Sequence, residues 1–461
     1  MQFGSTVYGW CYIVFKLYLE MGRSVVEEFK QGQKIKIKSG GYASIVKKLG
    51  QGGQGIVYEV DYAGKRYALK WYQYNKIKNP TKFRNNLENN IKDGNVRDKF
   101  LWPKYITEGM QYGSFGYIMD LTKEEYITFP DILNAKVSFG NLYAIVNAAL
   151  DLTSSFRELH RAGKSYQDLN DGGFFINPKN GNVLICDCDN VAPYGESLGI
   201  AGKPGYMAPE VVRGKATPSV QTDKFSLAIV LFKLLLRGDP LEGEKVLKSV
   251  CLTEEAERYH YGTDPVFVYD PDNDQNRPVR GVHNNVIKFW RIFPEYIREA
   301  FITSFTKGLK DSNERLIENQ WLRLFIRLRS EIIQCNCGNQ NFLSGFLDRG
   351  DGKIICLRCN SSYTHPLKLD IKKYPVILFL GVKLYKCHTE IDSDDYNEVT
   401  GEVIQNKLNP GLLGIRNLSN GIWNVRFPDG TLKSIDNGKV VPILKDIEID
   451  FGNGHIVNIN E

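Results

Sequence analysis

The sequence predicts an α+β chain built in successive parts, and three observations carry that reading. Residues 41–121 read as short strands separated by glycine-bearing turns. From Asn141 the apolar residues recur at three- and four-residue spacing, as helices require. The residues after Pro366 are short apolar runs cut by Asn-Pro, Asp-Gly, Asn-Gly and Gly-Asn, as a small all-β module requires. At 461 residues the chain is long enough for about three domains of ~150 residues. Its 59 Lys and Arg against 53 Asp and Glu leave a net charge of only +6, too mild for the concentrated basic face of a nucleic-acid binder.

Taken in order, residues 1–39 form an N-terminal extension. Within it, Val7 to Leu19 is too short to span a bilayer and is broken by Lys16, so no membrane role is expected, and Met21 offers a second plausible start. Strands are expected over Tyr42 to Leu49, Ile56 to Tyr62, Arg66 to Tyr72, Leu101 to Glu108 and Phe115 to Leu121, with a polar helix from Thr81 to Lys92. Leu142, Ile145, Val146, Ala149, Leu152, Phe156 and Leu159 give a helix stopped by Gly163. A second, from Thr222 to Arg237, is apolar on nearly all faces and so belongs in a core. Tyr259 to Asn285, rich in Asp, Pro, Asn and Gly, reads as a long surface insertion.

The stretch Gly50-Gln51-Gly52-Gly53-Gln54-Gly55-Ile56-Val57 lies between two strands rather than between a strand and a helix. A glycine-rich hairpin of this kind can lay backbone N–H groups over phosphates. Lys70 follows in the third strand and Glu88, the carboxylate that could fix it, eighteen residues later. Further on stand Tyr166-Gln167-Asp168, Asp187-Cys188-Asp189, Ala208-Pro209-Glu210, Asp223 and Arg315. In this order and spacing the chain resembles the eukaryotic-type serine/threonine protein kinases over residues 40–333. The resemblance implies a bilobal protein-kinase fold, with an N-lobe at 40–121 and a C-lobe at 122–333. It implies ATP and Mg²⁺ as cofactors and a protein substrate. Lys70, held by Glu88, would clamp phosphates under Gly50, Gly52 and Gly55. Val57, Ala68 and Phe175 would enclose the adenine, Met119 would close the back of the pocket, and the backbone of Asp120 and Leu121 would hydrogen-bond the base. Asp187 would hold Mg²⁺ and Asp168 would accept the proton of the attacking hydroxyl.

Four positions depart from the family pattern. Gln167 stands for the Arg that meets a phosphorylated activation segment, so no switch of that kind is expected. Asn170 stands for a Lys, and Lys203, which stands for the activation-segment Thr, is expected to supply the missing γ-phosphate contact. Gly173 stands for the Asn that ligates a second Mg²⁺, a loss of the order of 10²–10³ in rate. Asp171 or Asp189 could compensate, and an asparagine restored at 173 would raise turnover. Phe100-Leu101-Trp102-Pro103, Tyr261-Gly262-Thr263-Asp264-Pro265 and Asn276-Arg277-Pro278 look like a bacterial-type branch with a Cys-rich tail. That branch is associated with a metal-dependent protein phosphatase and a von Willebrand A-domain protein in tellurium-resistance-like systems, which implies both as partners.

Cys335-x-Cys337 and Cys356-x-x-Cys359, 18 residues apart, have the spacing of a tetrahedral Cys₄ zinc ribbon over residues 334–365, closed and therefore structural. Nine cysteines in all, four of them metal ligands, fit a reducing, cytoplasmic compartment. Residues 366–461 are faintly similar to a forkhead-associated β-sandwich, in which Arg416 or Ser419 would contact a phosphate. Two other functions stay open beside the kinase: a pseudokinase scaffold, and a phosphopeptide adaptor acting through this last module.

Overall fold

A computed structural model describes residues 28–72, 76–109, 114–200, 202–249, 251–348, 350–371, 375–452 and 454–461. The expectations for Val7 to Leu19 and Met21 lie outside the described residues. Among the described residues no helix is long and apolar enough to cross a membrane. The chain divides into two compact units: residues up to Gly94 with Trp102–Leu121, and Asn95–Leu101 with Thr122–Glu461.

The first unit is an antiparallel sheet of β1 (Lys34–Lys36), β2 (Tyr42–Gln51), β3 (Gly55–Tyr62), β4 (Lys65–Tyr72), β5 (Tyr105–Ile106) and β6 (Gly116–Asp120), in the order β1-β2-β3-β4-β6-β5. Alternation along β2 and β3 sends Ala43, Ile45, Ile56, Tyr58 and Val60 into one core with Leu69, Trp71 and Ile118. Helix α1 (Pro80–Asp93) starts where predicted: Asn79 caps it by accepting from the Lys82 amide, and Pro80 sits in its first turn. Two expectations shift. The sheet begins at Lys34, before residue 40. Only Tyr105–Ile106 of the run Leu101 to Glu108 is strand, because residues 95–101 join the second unit, where the Leu101 amide donates to the Ile185 carbonyl (2.7 Å) and the Ile185 amide to that of Lys99 (2.8 Å).

The second unit is organised by two helices. Helix α2 (Leu142–Arg161) begins at Asn141, whose side chain accepts from the Ala144 amide. Helix α3 (Val220–Leu236) is buried on nearly every face, as its sequence requires. Short strands β7 (Phe174–Ile176) and β8 (Val183–Ile185) pair antiparallel, and helices α4 (Glu295–Phe305) and α5 (Glu318–Ser330) pack behind. The predicted surface insertion at 259–285 is corrected: Tyr261, Val266, Phe267, Val268 and Asn276 are buried. The Asn276 amide donates to the carbonyls of Leu241 (2.8 Å) and Val266 (2.7 Å), which satisfies the buried backbone of this irregular segment.

The C-terminal residues form small antiparallel sheets, the largest of six and four strands. The cysteine ribbon and this β-module share one hydrophobic core, in which Ile333, Cys335, Phe346, Ile354 and Cys356 pack in the same cluster as Trp423, Val425, Ile449 and Ile459. The loop around Tyr396 ties the module to the helices. The guanidinium of Arg329 on α5 donates to the Tyr396 carbonyl (2.5 Å) and lies 3.7 Å over the Tyr385 ring. Arg157 on α2 pairs with Asp394 (3.1 Å). Cys387 and His388 are buried packing residues. Burial holds the His388 imidazole neutral, its pKa driven down to about 3.

Candidate functional site

In the first unit the glycine-rich hairpin joins β2 to β3. Gly50 and Gly52 have open space around them, whereas a Cβ at Gly55 would stand 2.1 Å from the Trp71 carbonyl oxygen on β4. Gly55 is thus required by sheet packing, and Gly50 and Gly52 leave the tip bare. Lys70 is buried in β4, in register with Val57 on β3 and Tyr117 on β6. Ala68 lies opposite Met119, which is also buried. Asp120 ends β6, its carboxylate paired with Lys104 (2.6 Å) and Lys65 (3.6 Å), and Leu121 follows half-buried. Glu88 on α1 has two cations that sequence reasoning did not name. Lys38 lies 2.8 Å from one carboxylate oxygen and Arg84 3.2 Å from the other. The Lys38 hydrogen bond, aided by Arg84, holds the Glu88 carboxyl below the usual range.

In the second unit the loop carrying Asp168 is anchored from beneath by Asp223 of α3, which accepts from the amides of Tyr166 (2.6 Å) and Gln167 (3.2 Å). His160 stands between Asp223 (3.2 Å) and Glu318 (2.8 Å). Burial opposes a charge on this imidazole, but the two carboxylates outweigh it and lift its pKa to about 9. Glu210 and Arg315, matched in sequence, form a two-pronged pair at 2.7 and 2.8 Å. Burial alone would raise the Glu210 carboxyl, yet Arg315 holds it lowered.

The departures in the catalytic loop each have a physical counterpart. Gln167 is buried with φ +66°, and its amide spans the following segment, donating to the Glu196 carbonyl (2.6 Å) and accepting from the Leu198 amide (3.1 Å). An uncharged side chain therefore holds the segment that an Arg would hold through a phosphate. Asn170 donates to the Asp168 carboxylate (2.9 Å) and accepts from the Gly172 amide (2.8 Å), which orients that acid, a role that sequence reasoning did not give it. Lys203 is exposed, and its ammonium lies 2.5 Å from Asp171. Gly173 is walled in: a Cβ there would stand 2.9 Å from the Tyr166 hydroxyl. An asparagine at 173 would therefore require the Tyr166 hydroxyl to shift. Phe175 is half-buried in β7, Asp187 is half-buried in the left-handed region (φ +53°), and Asp189 is wholly buried in the turn after it. Cys186 and Cys188 are buried, Cys188 in that turn.

The cysteine cluster is a separate site. The sulfurs of Cys335, Cys337, Cys356 and Cys359 all lie within 4.8 Å of one another. A tetrahedron with Zn–S bonds of about 2.3 Å puts its sulfurs about 3.8 Å apart, so the donor set fits that ion. The Ser361 hydroxyl beside Cys359 (3.1 Å) and its amide draw that thiol down to about 6, toward the thiolate a metal needs.

Residues 43–260 match the protein kinase domain family. Curated relatives agree. A probable serine/threonine-protein kinase of Zea mays is 33% identical over 104 residues, 22% of this chain and 16% of the relative. A probable cell cycle serine/threonine-protein kinase of Encephalitozoon cuniculi is 27% identical over 244 residues, 50% of this chain and 47% of the relative. A serine/threonine-protein kinase of Arabidopsis thaliana is 28% identical over 215 residues, 44% and 42% of the two chains. The chain thus spans less than half the length of these relatives. The matches support a protein kinase domain of the eukaryotic serine/threonine type over residues 43–260.

Proposed function

We propose that this chain is an active protein kinase that transfers the γ-phosphate of ATP to a serine or threonine hydroxyl of a partner protein. The observation that carries the reading is the support given to Asp168. Its loop is fixed by Asp223, and its carboxylate is oriented by Asn170. The Asp223 anchor also serves the stability of the fold, whereas the Asn170 hydrogen bond bears on the Asp168 carboxylate itself. In this reading Asp168 accepts the hydroxyl proton, Asp187 holds Mg²⁺, and Lys70 steadies the phosphates with Glu88 behind it. Lys203 leaves Asp171 to meet the γ-phosphate. Zinc is the ion for the four cysteines. The bacterial-type branch, its phosphatase and von Willebrand A-domain partners and a cytoplasmic site are parts of the same proposal and rest on the sequence resemblance.

The test is incorporation of label from γ-labelled ATP into phosphatase and von Willebrand A-domain proteins. Wild type should label Ser or Thr, and Asp187→Ala should not. Tight ATP binding with no label from wild type would favour the second reading, a nucleotide-binding scaffold, for which Gly173 speaks. The adaptor reading gains little from the β-module. Arg416 is paired with Glu402 at 2.7 Å, and Ser419 is bonded to Asn417 (2.7 Å) and to the Trp423 indole (3.1 Å). Binding of phosphothreonine peptides by the full chain, lost in Arg416→Ala, would revive it.

A further inference from the structure

The surface around the short helix Asn284–Trp290 carries cations that the fold leaves unanswered. From Gln275 to Pro294 the chain has four Lys or Arg and no Asp or Glu. Arg237, the residue that ends α3, is half-buried, its guanidinium 5.8 Å from the centre of the Phe289 ring. The Lys288 ammonium lies 5.6 Å from the same ring. Among the described residues no carboxylate pairs with either cation, or with Arg291 just past the helix. Elsewhere in the same unit buried or half-buried cations meet acids: Arg97 meets Asp151, Lys233 meets Asp239, Lys245 meets Asp264 and Arg315 meets Glu210. Burial draws the pKa of Arg237 down, and no neighbouring charge draws it back. Arg237 also takes the left-handed C-cap of its helix (φ +53°), where glycine is the usual choice. Both features cost stability, so stability alone does not explain an arginine there.

Next to Phe289, Trp290 stacks on Tyr269 at 4.2 Å and 8°, both rings half-buried. Aromatic rings beside arginine are what protein interfaces concentrate at their centres. The chemistry of an occupant follows from these groups. Carboxylates would meet Arg237 and Lys288 over Phe289, and an aromatic side chain would lie on the open edge of the Tyr269–Trp290 stack. Asp270 follows Tyr269 directly, and Asp272 and Asp274 are exposed. These acids limit the occupant to a short acidic stretch and disfavour nucleic acid, which needs a continuous basic face.

We propose that this face is a docking surface for a short acidic, aromatic-bearing segment of a partner protein, with Arg237 and Lys288 as its cation pair and the Tyr269–Trp290 stack as its apolar anchor. The inference goes beyond the kinase reading and does not depend on phosphate transfer.

The experiment uses the full chain and three peptides bearing the same neutral dye, Glu-Glu-Trp-Glu-Glu, Gln-Gln-Trp-Gln-Gln and Glu-Glu-Ala-Glu-Glu, with binding read by fluorescence anisotropy and melting followed in parallel. Wild type should prefer the first peptide to each of the others by about tenfold at low salt, and the preference for glutamate over glutamine should shrink as salt rises. Arg237→Gln and Lys288→Gln should each weaken the first peptide about tenfold, the worth of a charge-assisted hydrogen bond. Lys307→Gln with Lys310→Gln, exposed lysines of another helix, should leave it unchanged. Arg237→Gln should melt at or above the wild-type temperature, because it removes a half-buried charge that has no counter-charge. A clear fall in its Tm would make Arg237 a structural residue and overturn the proposal. Equal binding of the glutamate and glutamine peptides, an equal loss in the lysine control, or no binding by wild type would overturn it too. Equal binding of the alanine peptide would overturn the aromatic anchor. Tighter binding of phosphatidylserine vesicles or single-stranded DNA than of the first peptide would replace the protein partner with a membrane or a nucleic acid.

Discussion

The cysteine cluster and the catalytic loop are the two places at which we propose a metal, and they are built on opposite plans. The cluster draws four identical ligands from two short turns, and its sulfurs converge within 4.8 Å. The loop draws on unlike residues, Tyr166, Gln167, Asn170 and Gly173, each tied to a different backbone or carboxylate partner. On our proposal the first design depends on its ion as well as on the core that Cys335 and Cys356 share with the β-module. The second stands on hydrogen bonds and a buried ion triad, so its geometry should survive without nucleotide or metal.

The largest effect should therefore fall on the cluster. Structural zinc sites contribute on the order of 10 kcal/mol of apparent folding free energy. Cys356 is wholly buried in the core shared with Trp423 and Ile449, so Cys356→Ser should abolish zinc in metal analysis and melt the β-module with the ribbon. Retained β-module melting in a zinc-free variant would break the contrast.

Next comes the triad under the catalytic loop. His160→Ala would leave Asp223 and Glu318 buried without their shared cation, at a cost of about 3–5 kcal/mol in denaturant unfolding. The pH dependence has a definite sign. The folded imidazole has its pKa lifted to about 9 against an unfolded value of about 6.5. Its stabilisation is complete below about pH 6.5 and is lost as pH rises through about 9. Unfolding titrations of wild type and His160→Ala should converge over that window.

Smaller again is Gln167→Ala. It leaves the Glu196 carbonyl and Leu198 amide short of a partner, at about 1–3 kcal/mol, and should raise hydrogen exchange at residues 196–198 without altering the zinc site. The smallest is Lys38→Ala. The pair with Glu88 is partly exposed, so stability should change by less than about 1 kcal/mol. The Glu88 carboxyl should rise toward its ordinary value in a carbon-detected NMR titration. Because Glu88 is held low, its contribution is present above the unfolded carboxylate pKa and is lost as pH falls through the folded one.

The same contrast explains what could be read without coordinates. The cysteine site was legible because ligand type and spacing are local. The helices at 142–161 and 220–236 were legible because burial on one or all faces imposes a period. Glu210 with Arg315 and Asp223 under the loop were reached only through resemblance, since 105 residues of chain separate the first pair. The partners that make the departures coherent were not legible at all. That Asn170 orients Asp168, that Gln167 holds the Leu198 amide, or that Tyr166 fills the space at Gly173 depends on where a loop turns, and no periodicity encodes it. The segment at 259–285 misled because Asp, Pro and Gly also suit a buried irregular loop when an asparagine such as Asn276 serves its carbonyls. The shared core of ribbon and β-module was missed because short apolar runs do not announce which neighbour they pack on.

The central claim is that these departures support catalysis rather than mark its loss. The most direct measurement is the single-turnover rate of γ-phosphate transfer by wild type and by Asp168→Asn, with ATP affinity measured on both. The account predicts equal ATP affinity and transfer slower by roughly 10²–10³ in the variant, the usual worth of one catalytic group. Equal transfer by the two proteins, or none by wild type at saturating ATP and Mg²⁺ with every partner supplied, would contradict it.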